Sequence, residues 1–499
     1  MSRRPRSEMA KTEPRLDTRP AAQTAEHRNP VRRGRPVGPA HLVTFVICVA
    51  GLFGAMRPSP DPDSWWHLAT GHWIIDHASI PSTDPFSWTA AGKEWVAHEW
   101  ASEIIFASVD AVFGAAGLLV MQGLFVGAAL FILRRTLRRV VENEWIVAGS
   151  LVIAMYLSSL MWSLRPHLIS LLFVVVFLDT LVAFRSGDGD RRIWLLIPLT
   201  VLWANLHAGF LSGVILVWVF TIVGLLERRA DARRLLGVSA LVTLAGVMTP
   251  AGIEIYVFSV YLAQVSTEVA EWKPPGIRDP FGALVTSVAI GVPAIVALTK
   301  RRCDPALLVT AVLFGAMGVG AIRNIWLAGV LVAPALAVAM DGLGWIPRPG
   351  AARRDRAFIL TAHVLVLVAG GVLVWSTIGG RSESYLRSEG PFPKAASETL
   401  SELPAGRMLN PYGWGGYLIW KLPDIPVSID GRADLYGYDL LDDALRVQRL
   451  KPGWNDYLDE RGVDYVLWET ETPLAEGLRL LDGWSVVYED DEAVIFQRK

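Results

Sequence analysis

The sequence predicts a polytopic all-α membrane bundle of about eleven transmembrane helices, followed by a small extracytoplasmic α/β domain. Three observations predict it. Of 499 residues, 52% are hydrophobic and only 19% charged, and the mean hydropathy is +0.36; a soluble domain carries about 25% charged residues. The apolar residues gather into runs of about 17–23, the length that crosses a bilayer. From about residue 380 onward the chain turns acidic, with 13 basic and 22 acidic residues. Such a composition excludes a disordered chain and a simple soluble enzyme. Two isolated cysteines, Cys48 and Cys303, exclude a disulfide framework and a CxxC metal site.

Residues 1–40 hold ten Lys/Arg against four acids and few apolar residues. They read as a disordered, cytoplasmic basic tail. No aromatic residues interleave with the arginines, so the tail is read as a topology signal and no nucleic-acid partner is expected. No cleavable signal peptide is expected either, because the first apolar run starts forty residues in and has no small-residue cleavage pattern after it.

The polytopic domain spans 41–379. Its apolar runs lie near 41–57, 111–133, 145–162, 168–184, 193–207, 209–226, 235–251, 281–299, 305–321, 325–340 and 357–378, and 250–268 reads as an amphipathic, half-buried extra element. The loops between them alternate in charge. With the tail inside, the inner loops carry 18 basic residues and the outer loops six: Arg57, Lys93, Arg165, Lys273, Arg278 and Arg323. This positive-inside pattern predicts a cytoplasmic-membrane protein with its N-terminus inside and its C-terminus outside. The formal net charge of −1 resolves into +6 on the tail, +8 on the inner loops, −6 on the outer loops and −9 on residues 380–499.

In that last segment, short apolar strands (Arg407–Asn410, Val427–Asp430, Asp464–Trp468, Val486–Tyr488, Ala493–Phe496) alternate with helical stretches near 393–403, 413–421, 438–449 and 473–481. The alternation predicts a small α/β domain.

The chemistry concentrates in the long first outer loop, 58–110. It holds six of the twenty tryptophans, Trp65, Trp66, Trp73, Trp88, Trp95 and Trp100, which suit helices lying in the membrane interface. Ser64 is placed to cap a helix that runs to Asp76, and a second helix is expected to start near Ala97. Asp61 and Asp63 follow the first span directly. Pro62 between them fixes one φ and biases Asp61 to an extended shape. A rigid acidic pair of this kind holds a divalent cation, Mg or Mn, or supplies one carboxylate as a base; otherwise it caps the helix.

Further polar groups fall on the same outer side: His98 and Glu99, with Glu103 sharing a face with Glu99; Arg165 and His167; Asn205 and His207; Glu271 and Lys273; and Arg323. Each singly reads as a snorkelling arginine or a satisfied helix-end histidine. Together they read as a site at the outer membrane boundary, because polar groups near a bilayer are costly and default to function. Arginines suit a phosphate through forked, charge-assisted bonds, and a carboxylate suits an incoming hydroxyl. A lipid-borne phosphate reconciles that chemistry with the membrane position. Zinc is not expected among His67, His72, His77, His98, Asp61 and Glu99: HExxH spacing is absent, and His67 and His72 are on different helix faces.

The segments DPDSWWHLATGHWI, TDPFSW, AHEW, RPH, ANLHAGF, TPAGIEIY and RNIWLAG, with NPYGWGGYLIW and DGRADLY in the outer domain, carry a resemblance that covers about 41–499. With the acidic pair opening a long outer loop after the first span, they resemble a bacterial family of GT-C class integral-membrane glycosyltransferases. That class includes the protein O-mannosyltransferases, the lipid A aminoarabinose transferases and the oligosaccharyltransferases. The resemblance implies transfer of a sugar from a polyprenyl-phosphate donor to a glycan, lipid or protein acceptor outside the cytoplasmic membrane. The acid of the class falls on Asp61 or Asp63. Pro62 separates two acids that are adjacent in many members, which leaves open the identity of the base and the use of a metal. On this reading Arg165, Arg323 and Lys273 hold the donor phosphate, while His98, Glu99, His167, Asn205, His207 and Glu271 line the site. The rivals are a transporter or flippase for a lipid-linked precursor and a non-catalytic envelope-assembly protein. Spans nearly free of charge, and the lack of an internal repeat, speak against transport.

In the outer domain, Asp430-Gly431-Arg432 reads as a tight turn in which Gly431 supplies a positive φ and Asp430 pairs with Arg432. Tyr412, Trp414 and Tyr417 read as the packing face of a helix, with sugar stacking as the alternative.

Overall fold

A computed structural model describes residues 39–57, 61–188, 190–265, 270–299, 302–346, 356–378 and 392–499. The basic tail, Lys300, Arg301, Arg348, Arg353, Arg354 and the boundary expected at 380 lie outside the described residues.

Each of the eleven apolar runs coincides with a helix. In chain order the helices are α1 (Pro39–Ala55), α2 (Asp63–His77), α3 (Trp100–Val140), α4 (Glu144–Ser159), α5 (His167–Arg185), α6 (Leu196–Leu206), α7 (Phe210–Leu226), α8 (Ala232–Ala245), α9 (Glu254–Val265), α10 (Pro280–Thr299), α11 (Pro305–Gly320), α12 (Ile325–Leu343) and α13 (Arg356–Ile378). The seventh run shortens to α8, and the amphipathic stretch forms α9. Among the described residues, four helical stretches are long and apolar enough to cross a membrane unaided: Trp100–Val140, His167–Arg185, Pro280–Thr299 and Ile322–Leu343. Shorter apolar helices pack beside them, as in a multi-pass membrane protein.

Local signals set the ends. Asn143 and Asp304 accept the amides of Trp145 at 3.1 Å and Ala306 at 2.8 Å, opening α4 and α11. The helix α3 bends at Gly114, where φ is +59°, so a peripheral first segment precedes its long span. The expected Ser64 cap does not form: the Ser64 hydroxyl finds no partner. Asp61 opens α2 in its place, its Oδ1 accepting the Asp63 amide at 3.0 Å and its carbonyl the Ser64 amide at 3.2 Å.

At the ends of α3 and α5, arginine meets acid. Asp179 takes Arg135, Arg139 and Thr136, and Arg185 bridges Asp304 and Glu227 at 2.7 and 2.8 Å.

The outer domain contributes α14 (Lys394–Glu402), β1 (Met408–Leu409), α15 (Tyr412–Lys421), α16 (Ala433–Gln448), α17 (Trp454–Glu460), β2 (Tyr465–Glu469), α18 (Pro473–Arg479), β3 (Trp484–Glu489) and β4 (Ala493–Arg498). The sheet order is β1-β2-β4-β3, parallel between β1 and β2 and antiparallel elsewhere. The strand expected at Val427–Asp430 does not join this sheet. Val427 pairs instead with Ser87 of the first outer loop. The Trp88 amide donates to the Val427 carbonyl at 3.0 Å, the Val427 amide to the Phe86 carbonyl at 3.1 Å, and the Trp88 indole to the Met408 carbonyl at 2.8 Å.

The first outer loop is therefore a middle layer between bundle and outer domain. Trp65, Trp66 and Trp95 share one core with Trp414, Tyr417, Val427 and Tyr436. Trp65 meets Tyr417 edge-on with ring centroids 5.5 Å apart. Six tryptophans in an outer loop are thus only partly an interface feature, because three of them bury against the outer domain. Trp414 and Tyr417 pack as a helix face, as the sequence reading favoured.

Candidate active site at the outer boundary

Three backbone approaches build the site. The helix α2 crosses the first segment of α3 so closely that a Cβ at Gly71 would overlap the Glu103 carbonyl. That places His67, one turn earlier on α2, against Glu103. The loop before α5 carries Arg165 to the start of α2. The outer-domain turn 430–432 then covers Asp63: a Cβ at Gly431 would overlap Asp63 Oδ1. The φ of Gly431 is not positive, so the glycine is needed for close approach and not, as expected, for a left-handed turn. The rest of the turn follows the sequence reading, with Asp430 accepting from the Arg432 guanidinium at 2.6 Å.

Arg165 is the hub. Its Nη2 lies 2.8 Å from Asp63 Oδ2, and its Nη1 lies 3.7 Å from Asp61 and 3.5 Å from Glu271. Glu271 also faces Arg323 Nη1 at 3.5 Å, and the Arg323 guanidinium stacks 4.1 Å over the Trp272 ring. These five charged side chains are between 15% and 26% exposed, so the cluster is enclosed yet reachable. Burial pushes the Asp63 carboxyl up to about 7; Arg165 pulls it down, and Asp61 and Glu271 push it further up. Burial also works against the charge on Glu271, but Arg165 and Arg323 outweigh it and hold that carboxyl below its usual range. From the outer domain, the Tyr412 hydroxyl donates to the Gly431 carbonyl at 3.0 Å, and burial with the nearby Asp63 holds its phenol well above the usual range.

A divalent cation does not fit between Asp61 and Asp63 as they stand. One Asp61 oxygen caps α2, Asp61 Oδ2 and Asp63 Oδ2 face the Arg165 guanidinium, which supplies the positive charge there, and Asp63 Oδ1 lies against Gly431. Sequence reasoning treated Arg165 as a phosphate ligand or a snorkelling residue; its role as partner of three acids depends on loops distant in the chain.

A second group adjoins the first. His207 Nδ1 accepts the Gly209 amide at 2.9 Å and faces the Ser170 hydroxyl at 2.7 Å, which in turn accepts the Trp203 indole at 2.7 Å. The proton of neutral His207 is thereby on Nε2, which faces Glu99 Oε1 at 3.3 Å. His98 Nε2 lies 3.6 Å from the same oxygen and His67 Nε2 3.6 Å from Glu99 Oε2. His67 Nδ1 meets Glu103 at 3.1 Å. Burial raises the Glu99 carboxyl above its usual range against His98 and Arg165, and burial lowers His67 and His207 well below theirs. Glu99, just before α3, and Glu103, on its first turn, converge on His67, a proximity without a local spacing signature.

The remaining expected residues sit at the edge. His167 donates from Nε2 to the Met161 carbonyl. The Asn205 amide accepts the Trp100 indole at 3.2 Å and donates to the Val201 and Met248 carbonyls at 2.9 and 2.8 Å, which ties the start of α3 to the outer end of α6. The Lys273 side chain is exposed, while its carbonyl accepts the Ile322 amide at 3.0 Å.

No protein-family model matches the chain, and no curated protein aligns with it. Among solved structures, the chain is similar to the Archaeoglobus fulgidus oligosaccharyltransferase. The apo form aligns with a TM-score of 0.52 at 11% identity, over 92% of this chain and 74% of that one. The form tethered to an acceptor peptide containing the NVT sequon aligns at 0.51 and 12%, over the same shares. ArnT from Cupriavidus metallidurans in the apo state aligns at 0.48 and 15%, over 91% of this chain and 97% of its own; the assignment rests on the first pair. The likeness to the oligosaccharyltransferase shows a shared GT-C-like fold, the architecture implied by the sequence resemblance.

Proposed function

We propose that the protein is a glycosyltransferase that moves a sugar from a polyprenyl-phosphate donor to an acceptor hydroxyl on the outer side of the cytoplasmic membrane. The observation that carries this reading is the Asp63 carboxyl, held at about 7 and 2.8 Å from Arg165 at the outer boundary of a GT-C-like bundle. A general base works best with a pKa near the operating pH. In the proposed step the acceptor oxygen attacks the anomeric carbon, Asp63 takes its proton, and the bond to the donor phosphate breaks with inversion. The departing polyprenyl phosphate carries the negative charge away. Arg165, released from Asp63 as that carboxylate is protonated, and Arg323, held flat against Trp272, stabilise that charge. Asp61 sets the start of α2 and so the position of Asp63. The N-terminus is cytoplasmic and the outer domain extracytoplasmic, in keeping with the loop charges.

The test is glycolipid analysis of a deletion strain complemented with Asp61→Asn/Asp63→Asn. The expected result is a normally folded membrane protein, loss of one envelope glycan and accumulation of its lipid-linked donor. Undiminished transfer by the double variant overturns the reading.

A further inference from the structure

Beside the charged cluster, the first outer loop and the turn between α8 and α9 enclose a cavity of about 250 Å³. Its walls include Ser82, Trp95, His98, Trp100, Thr249 and Glu254, with apolar side chains between them. His98 lies 3.6 Å from Glu99, so the cavity adjoins the histidine group of the site. Pockets for drug-sized ligands run from about 300 to 1,000 Å³, and this smaller one suits a single ring.

The lining says what kind of ring. Two indoles are held in its walls, Trp95 by the Arg432 guanidinium 4.7 Å from its ring centroid and Trp100 by its bond to Asn205 at 3.2 Å. The Thr249 hydroxyl is buried and has no hydrogen-bond partner among the described residues. A polar group left so costs about 1–3 kcal/mol, and a ligand atom that bonds it removes the cost. Glu254 is exposed on the first turn of α9 and brings an acceptor carboxylate to the mouth. A pyranose matches all three features. Its C–H face packs on electron-rich indole rings, and its rim of hydroxyls both donates and accepts.

The same lining separates donor from acceptor. A donor sugar is joined to a phosphate, which needs cations such as Arg165 and Arg323 beside it. Among the described residues no lysine or arginine lines this cavity, and Glu254 repels an anion at its mouth. We propose that the cavity binds one neutral pyranose ring of the acceptor, so that the acceptor is a glycan. That the ring belongs to the acceptor rests on the glycosyl-transfer reading; that a ring is bound does not.

The experiment uses the full chain in a sugar-free zwitterionic detergent and reads binding by saturation-transfer NMR. The probes are the methyl glycosides of glucose, galactose, mannose and N-acetylglucosamine at millimolar concentration, and methyl glucuronide as the anionic counterpart of the first. At least one neutral glycoside should bind, and the glucuronide should bind at least tenfold more weakly. Thr249→Val and Glu254→Gln should each raise Kd about tenfold, the loss of one good hydrogen bond. Thr249→Val should leave the melting temperature unchanged or raise it, because it removes a buried hydroxyl that lacks a partner. Asp61→Asn/Asp63→Asn should bind as the wild type does. Absence of transfer to all four neutral glycosides overturns the site, as does a glucuronide that binds as well as they do. So does wild-type binding by Thr249→Val or by Glu254→Gln. Loss of binding in the aspartate double variant places the ring at the acidic pair and equally overturns it. With ring binding intact, undiminished glycan transfer by that double variant overturns the glycosyl-transfer reading and the acceptor assignment, and leaves the ring site standing.

Discussion

Gly431 closes on Asp63 so tightly that the outer domain has no room for a methyl group there. The carboxylate read as the base is thus shaped by a turn of the outer domain as well as by its own helix. Gly431→Ala should lower kcat about 100-fold, since a displacement of about 1 Å is enough for that loss. The outer domain should remain folded, as checked by limited proteolysis, and Gly413→Ala, where a Cβ meets open space, should be silent.

The pH dependence of kcat/KM should rise through about pH 7, since Asp63 acts only when deprotonated and its carboxyl is held there. Two substitutions should move the midpoint in opposite directions. Arg165 favours the charged form, so Arg165→Gln shifts the rise to higher pH. Asp61 opposes it, so Asp61→Asn shifts the rise to lower pH. The pH–rate profile of each variant checks the signs.

Arg432 and Asp84 form a fully buried ion pair at 2.8 Å between the outer domain and the first loop, and the guanidinium also meets Asp430. Removing Arg432 leaves Asp84 and Asp430 buried without their countercharge, at a cost of about 3–5 kcal/mol, whereas removing the Asp84 charge leaves Arg432 on Asp430 and loses the Asp84 contacts to Arg432, Phe86 and Ser87. Asp84→Asn and Arg432→Met should each lower the melting temperature sharply and expose the segment between Ser82 and Trp95 to protease.

Asn205, near the end of α6, accepts the Trp100 indole at the start of α3 and donates to Val201 of its own helix and to Met248 beyond α8. Asn205→Ala leaves the Trp100 indole without that acceptor, at a cost of about 1–3 kcal/mol. Thermal melting should register the loss while the midpoint of the pH–rate profile stays in place.

The helices were legible in the sequence because apolar runs of bilayer length have few alternative readings, and every such run is helical. The polar cluster was legible as a collection of residues in alternate loops between the apolar runs. Its internal pairing was not. Arg165 bridges three acids from two other loops, and His67 meets Glu103 36 positions away on another helix; neither spacing has a local signature. Val427–Asp430 read as a sheet strand because its alternation is strand-like, but its partner is Ser87 in the first loop, and pairing at that distance leaves no trace in local pattern. Gly431 was read through backbone conformation when its reason is the proximity of Asp63.

The middle layer also sets an order of assembly. Asp84 and Arg432 are 348 positions apart in the chain. At about 5–20 residues per second, a ribosome needs roughly 20–70 s to make the stretch between them. During that interval the loop that holds Trp65, Trp66 and Trp95 is without its buried partners in the later segment. The acidic pair therefore stays open until the last segment of the chain arrives to cover it, and a chain cut short before residue 430 presents an uncovered centre however well its bundle has formed.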